Sequence, residues 1–338
     1  MADPLVVQLA NDFRQRLRNR DVVLTQEMGR RWLAVEERLW ADMLALAESM
    51  AAEKEAGRSI SRSKLFRFER YQQLLAQAQA ELSRFNATAG REIERAALAN
   101  VLDGLDDGLT LIDGAVRPYG ERGVSIVLDR LGIEAAENVA ALARAGQPLN
   151  VILDRSYPAA VEGITDRLID GIARGINPRE VARRMRNDGL SQGLNHILLV
   201  ARDQSNRAYR QATLEQYRRS GVVYGYRRIS AKQARTCAAC LALDGKFYEL
   251  DEPFEEHPQG RCTAIPAVKG FEPVGFQSGE VWFNEQPAAV QRQILGNDRY
   301  EAWGDGLFEF SRLAKIVPNE VWGPSAQVRS LRELVGQD

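Results

Sequence analysis

Residues 5–56 contain no proline and a single glycine, Gly29. A run of that length without a breaker folds as one long helix or a helix pair, because proline would remove a helical hydrogen bond and glycine would weaken the interior. Leu33, Trp40, Met43, Ala47 and Met50 recur at intervals of three, four and seven residues, the period of a buried helical seam. The polar stretch from Gly57 to Ser63 ends the run. Ser63 fits the N-cap of a second helix through Tyr71, Leu74, Leu75 and Leu82, so a helical hairpin is expected.

Residues 86–146 alternate alanine-rich stretches with glycines at 90, 104, 108, 114, 120, 123 and 132, a spacing that predicts several short helices rather than one rod. Beyond Pro158, Val161, Ile164, Leu168 and Ile172 keep a helical period. Asn177-Pro178-Arg179-Glu180 then reads as an N-cap with proline in the first turn of another helix, which Asp188-Gly189 is expected to end. Residues 193–219 read as a further helix, with Leu194, Ile197, Leu198 and Ala201 on its apolar face and a basic exposed side. After Gly221 the pattern changes to a β-rich run over 222–229, and Asp244-Gly245 between Leu243 and Phe247 signals a hairpin turn.

The fold class is therefore mainly α. It comprises an extended N-terminal helical region (1–113), a helical central domain (114–220), a small β-containing Cys/His module of zinc-knuckle type (221–270) and a C-terminal helical tail (271–338). In the tail, Trp282, Trp303 and Trp322 read as core residues of a small helical module rather than as anchors for a partner.

Lys+Arg 45 against Asp+Glu 46 gives a formal net charge of −1, which excludes a globally polybasic nucleic-acid coat. Any electrostatic attraction is local. Residues 174–235 hold fourteen basic side chains and four acidic ones, a net of +10. Within it, Arg202, Arg207, Arg210, Arg218, Arg219, Arg227, Arg228, Lys232 and Arg235 form the candidate surface for nucleic acid or a protein partner. Phosphate contacts without sequence readout and a solvated helix facing an acidic protein are both open readings. The first residues lack the basic start and apolar run of an export signal, and the chain has no apolar stretch of bilayer-spanning length. The expectation is a cytoplasmic site of synthesis and no membrane partner.

Three cysteines and one of the two histidines fall as Cys237-x2-Cys240-x16-His257-x4-Cys262. Two close pairs separated by a loop that can fold back are the arrangement structural zinc prefers, and four protein ligands leave no open position for chemistry. Arg235, Lys246 and Arg261 are cations that could favour the thiolates. Two alternatives stand beside this: three buried cysteines acting as small apolar residues, and a Cys-x2-Cys redox pair, which lacks the surrounding βαβ pattern.

The stretch Thr236-Cys237-Ala238-Ala239-Cys240-Leu241-Ala242-Leu243-Asp244-Gly245-Lys246, followed by His257-Pro258-Gln259-Gly260-Arg261-Cys262 and Ile265-Pro266, resembles a known signature. It is similar to the C-terminal signature of the phage head morphogenesis family, the phage Mu protein F-like minor head proteins, over residues 160–268, roughly a third of the chain. Two departures stand out. Ala201-Arg202-Asp203-Gln204 replaces the usual Ala-Arg-Thr-Glu, so no role of that Thr-Glu pair carries over, and Gln259-Gly260 lengthens the approach from His-Pro to Arg-Cys.

The resemblance implies a non-enzymatic minor capsid protein acting in head assembly, located in the virion head near the portal vertex and in the host cytoplasm during assembly. It implies as partners the portal protein, other capsid or scaffold proteins, and double-stranded DNA bound without sequence specificity. A zinc-knuckle DNA-binding protein with no virion role, or a capsid protein with an appended toxin or transferase domain, are the alternatives. No glycine-rich phosphate loop occurs, and His196 has no nucleophile or second ligand near it in sequence. Glu36-Glu37 and Glu255-Glu256 read as solvated charge.

Overall fold

A computed structural model describes residues 3–122, 146–272 and 275–336. Its contacts divide the chain into two units, one of Asp21–Arg95 and Pro148–Arg202, the other of Met1–Arg20, Ala96–Gln147 and Asp203–Asp338. The glycines at 123 and 132 lie outside the described residues.

The proline-free N-terminal run is a single helix, α1 (Leu5–Glu55). A short helix, α2 (Arg62–Leu65), follows, capped by Ser61 rather than Ser63, and the long return helix α3 (Glu69–Val116) starts six residues later than the expected cap. In the first unit, Trp32 of α1 meets Phe85 of α3 edge-on with ring centroids 5.0 Å apart, and the Arg38 Nε–Glu81 Oε2 pair lies at 2.6 Å. These contacts close the helical hairpin. Its seam runs through Trp32, Val35, Leu39, Met43, Ala47 and Met50, all buried, whereas Leu33 is 61% exposed. The expected stripe was thus one residue out of phase at its start, where Trp32 takes the inward position.

Helix α4 (Leu149–Asp154) and helix α5 (Ser156–Ala173) pack in the same unit, where Asn86 Nδ2 donates to Leu153 O at 3.0 Å and Tyr71 Oη lies 2.6 Å from Thr165 Oγ1. Lys54 Nζ donates to the carbonyls of Ile172 and Ala173 at 2.6 and 2.9 Å, satisfying acceptors that the end of α5 leaves open. Helix α6 (Pro178–Arg184) begins as expected, with the Asn177 side chain accepting from Arg179 N and Pro178 in the first turn. Asp188-Gly189 does not end the helical path. The chain passes through a π-helical turn, Met185–Leu190, directly into α7 (Ser191–Arg219). Gly189 is there for closeness: a Cβ would lie 2.7 Å from Ile164 N and 2.8 Å from Gly163 C.

In the second unit, α3 continues through 96–116 as the same rod, in place of the several short helices expected, and crosses the boundary expected at 113/114. Its glycines are contact points and not breaks. A Cβ on Gly104 would lie 2.5 Å from Tyr209 O, one on Gly108 2.9 Å from Gln216 Cβ, and one on Gly114 2.7 Å from Leu9 Cδ1. Three helical segments therefore approach at backbone distance, and the helix propensity given up at each glycine is offset by packing.

A three-stranded antiparallel sheet, ordered β2-β1-β3, covers them: β1 (Val223–Ile229), β2 (Phe247–Glu249) and β3 (Thr263–Val268). Tyr226 pairs with Tyr248 on one side and Pro266 on the other, and it shares a core with Val6, Leu111, Ile112, Leu214, Tyr217 and Ile265. A short helix, α8 (Ala238–Ala242), lies between β1 and β2.

The tail is not purely helical. Helices α9 (Gly279–Asn284), α10 (Ala288–Leu295) and α11 (Asn297–Gly304) are followed by an antiparallel pair, β4 (Ala314–Val317) and β5 (Ser325–Val328), and by α12 (Leu331–Val335). Trp282 and Trp303 pack at the edge of a core built on Phe283, Phe310 and Leu313, to which α8 contributes Ala238 and Leu241. No helix among the described residues is long and apolar enough to cross a membrane.

Candidate metal centre

β1 delivers Arg228 to the interior, and the chain then turns through Ser230 and Lys232 to α8. Cys237 is itself the N-cap of α8: its sulfur accepts from Cys240 N at 3.3 Å, so one helical turn places both sulfurs on the same side. Asp244-Gly245 does form a turn, but it joins α8 to β2 rather than closing a two-residue hairpin. Asp244 accepts from Ser230 N and pairs with Lys232 Nζ at 3.1 Å, while Gly245, at φ +86°, donates to Arg228 O at 2.8 Å.

The loop before β3 brings in the other candidates. Gly260 N donates to His257 O at 2.9 Å, closing a tight turn in which Gln259 takes φ 66°. His257 Nδ1 lies 2.9 Å from Pro258 O, a contact in which Nδ1–H donates to the carbonyl and which turns Nε2 toward the sulfurs. Nε2 lies 3.5 Å from Cys237 Sγ and 3.3 Å from Cys240 Sγ. These separations approach the edge of a tetrahedron around zinc, about 3.6 Å between sulfur and nitrogen at ordinary bond lengths.

Cys237, Cys240 and His257 thus form one group of donors within 4.8 Å of each other, and Cys240, Glu256 and Cys262 form a second. Of the four residues picked from the spacing, Cys237, Cys240 and His257 share one group; Cys262 is grouped with Cys240 and Glu256 and not with Cys237 and His257. The residue that sequence reasoning missed is Glu256. Read as solvated, it is 1% exposed, with Oε1 3.4 Å from Cys240 Sγ and 3.4 Å from His257 Nε2. Its Oε2 lies 2.7 Å from Arg228 Nη2, a pairing of charges between two almost fully enclosed side chains.

The electrostatics follow from this crowding. Hydrogen bonding from Cys240 and His257 against the opposing effect of burial lowers the Cys237 thiol to about 5, while Cys240, sharing its proton with Cys237 and Cys262, is pushed up. Burial works against a charged His257, but its contact with Cys237 and the Glu256 carboxylate outweigh it and raise the imidazole to about 9. Burial likewise works against a charged Glu256; Arg228, His257 and Arg210 prevail and hold it at about 2. Without metal the cluster is a thiolate, an imidazolium and a carboxylate. A cation entering it would replace protons on soft sulfur and borderline nitrogen donors, and that set fits zinc.

The nine basic residues are placed differently from one another. Arg210 and Arg228 are buried, so they are not part of an exposed surface; the alternation of β1 turns Arg228 inward, and α7 is enclosed on nearly all sides from Asp203 to Tyr217. Arg207 pairs with buried Asp203 at 2.7 Å, the residue standing where the family carries threonine. Arg218 donates to Leu250 O at 2.8 Å and Lys232 pairs with Asp244. Arg202 and Arg227 are half-buried, and Arg219 and Arg235 are exposed. Arg235 and Arg261 are exposed beside the cluster, and Lys246 lies over the Tyr248 ring, so the cation touching a sulfur is Arg228, 3.9 Å from Cys240 Sγ. His196, for which no role was expected, lies 2.7 Å from Ile152 O.

Residues 162–265 match the family described as Phage Mu protein F like protein, a span that contains Cys237, Cys240, Glu256, His257 and Cys262. The resemblance to the phage head morphogenesis family read from the cysteine signature is thereby supported over that segment, and the match suggests a role in phage head morphogenesis. No curated protein and no solved structure matches the chain.

Proposed function

We propose that this chain is a structural minor head protein, without catalytic activity, that joins the phage head at the portal vertex. Zinc held by Cys237, Cys240, His257 and Cys262 fixes its module 221–270. The observation that carries the reading is the convergence of Cys237, Cys240 and His257 inside the segment that matches the family. The ion, when bound, supplies folding energy and no reaction. The chain's own residues do the rest: α8 holds two sulfurs on one turn, the Pro258 carbonyl orients His257, and the three-stranded sheet seats the module on the helices.

A protein partner is favoured over DNA, because only Arg219 and Arg235 of the nine basic residues are exposed and Arg219 already pairs with Glu215 at 2.9 Å. DNA contact without sequence readout is a secondary activity in this account. The test is co-purification with the portal protein of the same genome, in salt high enough to strip phosphate contacts. A stable complex supports the reading; its absence, with DNA retention at low salt, would favour the zinc-knuckle DNA-binding alternative.

A further inference from the structure

A buried carboxylate beside two sulfurs and an imidazole has no place in a four-ligand zinc site, and its surroundings show that it is built in. Glu256 Oε1 accepts from His257 N at 3.1 Å, and Oε2 faces Arg228 Nη2 at 2.7 Å. The space it occupies exists because residue 260 is glycine: a Cβ there would collide with Glu256 Cγ, Cδ and Oε1. Gly260 belongs to the Gln259-Gly260 step by which this chain departs from the family signature, and Gln259 takes the left-handed conformation needed to make it.

The same loop is held from behind by the two buried guanidiniums. Arg228 Nη1 donates to Glu255 O at 2.7 Å and Arg210 Nη1 donates to Gly260 O at 2.9 Å, and both stack on the Phe254 ring, 4.7 and 5.5 Å from its centre. Three thiolates and a neutral imidazole around a divalent ion leave one negative charge and Glu256 adds a second; Arg228 and Arg210 face that charge, beside the pair of buried Asp203 with Arg207 and beside Arg14, whose charge acts on Cys262. In a buried site, uncompensated charge is strongly disfavoured.

We infer that Arg228 and Glu256 are positioning residues of the metal centre, Arg228 as its fixed counter-charge and Glu256 as the clamp that ties His257 to it, with Gly260 making the clamp possible. The inference rests on the zinc reading above. Arg228 cannot be a ligand; Glu256 belongs to a donor group with Cys240 and Cys262, but its Oε2 faces Arg228 and its Oε1 accepts from the His257 backbone, which assigns it to positioning. Loss of either leaves one buried charge without its partner, and loss of both leaves none.

The test uses the full chain. Zinc content is measured first, and then the rate of zinc release into excess chelator and the cobalt(II)-substituted absorption spectrum are compared among wild type, Arg228→Met, Glu256→Gln and the double variant, all checked by far-ultraviolet circular dichroism for retained helix. Each single variant is expected to release zinc at least tenfold faster and to shift the thiolate-to-cobalt band, and the double variant to fall well short of the product of the two effects. Gly260→Ala should behave like Glu256→Gln. Wild type that binds zinc, with unchanged release and spectra in folded variants, would overturn this inference alone. Wild type that binds none would overturn the zinc reading and this inference with it. Should Arg228→Met not fold, Arg228→Lys supplies the comparison: it keeps the charge and loses the bond to Glu255 O, so an intermediate release rate is expected and a wild-type rate would contradict the positioning role.

Discussion

The hairpin unit of Asp21–Arg95 and Pro148–Arg202 and the Cys/His module are organised by opposite means. The hairpin buries Trp32, Leu39, Met43, Leu46, Tyr71 and Leu74 along long helices, and the polar contacts it encloses include neutral pairs, Tyr71 with Thr165 and Asn86 with Ser156. The module encloses Arg228, Glu256 and Asp244 between short elements, with buried Cys240 and Cys262 beside them and half-buried Cys237 and His257 further out. Apolar burial stabilises a helix pair whatever the solution contains. Buried ions stabilise a fold only in matched sets, so the module's stability is conditional on what completes the set.

That contrast can be broken most sharply at the metal. Cys240→Ser should abolish stoichiometric zinc and destabilise the module by an amount on the order of 10 kcal/mol of binding free energy. The helical signal in far-ultraviolet circular dichroism should stay near its wild-type value; unchanged zinc content would remove Cys240 from the ligand set. Trp32→Ala should cost the hairpin unit about 3 to 5 kcal/mol through the cavity it opens, read as a lowered first thermal transition. It should leave zinc content alone, and a loss of zinc would show that the two regions are not independently stabilised.

A smaller effect is expected from Asp107, buried in α3 where it accepts from Tyr209 Oη at 2.8 Å and pairs with Arg16. Burial, only partly opposed by Tyr209 and Arg16, raises its carboxyl from 3.8 to about 6. The folded state therefore keeps a proton that the unfolded chain has lost, and stability falls as pH rises from about 4 to about 6, by on the order of 2 to 3 kcal/mol. Asp107→Asn should flatten that part of the stability-versus-pH curve; an unaltered slope would contradict the assignment. Smallest of all, Arg219→Glu with Arg235→Glu should weaken binding to random-sequence DNA only slightly, measured as a salt-dependent titration. A collapse of binding would restore DNA as the main partner of this face.

What could be read from the residues alone divides along the same line. The ligand candidates stood out because cysteine and histidine are rare here and clustered, and Asn177-Pro178 marked a helix start through local chemistry that the structure repeats. Gly104, Gly108 and Gly114 misled because helix propensity is local, whereas their purpose, close approach to α7 and α1, is set by residues far along the chain. Arg210 and Arg228 misled for a related reason: a guanidinium is usually solvated, and nothing near either in sequence announces the buried carboxylate 28 residues beyond Arg228. Glu256 had one legible trace, the extra Gln259-Gly260 step, one of the two departures from the signature.

The most direct test is hydrogen exchange of the full chain before and after zinc is removed by chelation. The account predicts faster exchange across 223–268, the sheet and the Cys/His loop, with protection of α1 and α3 over 21–95 unchanged. Uniform exchange in both states, or loss of protection beginning in the helical hairpin, would contradict a module held together by its metal.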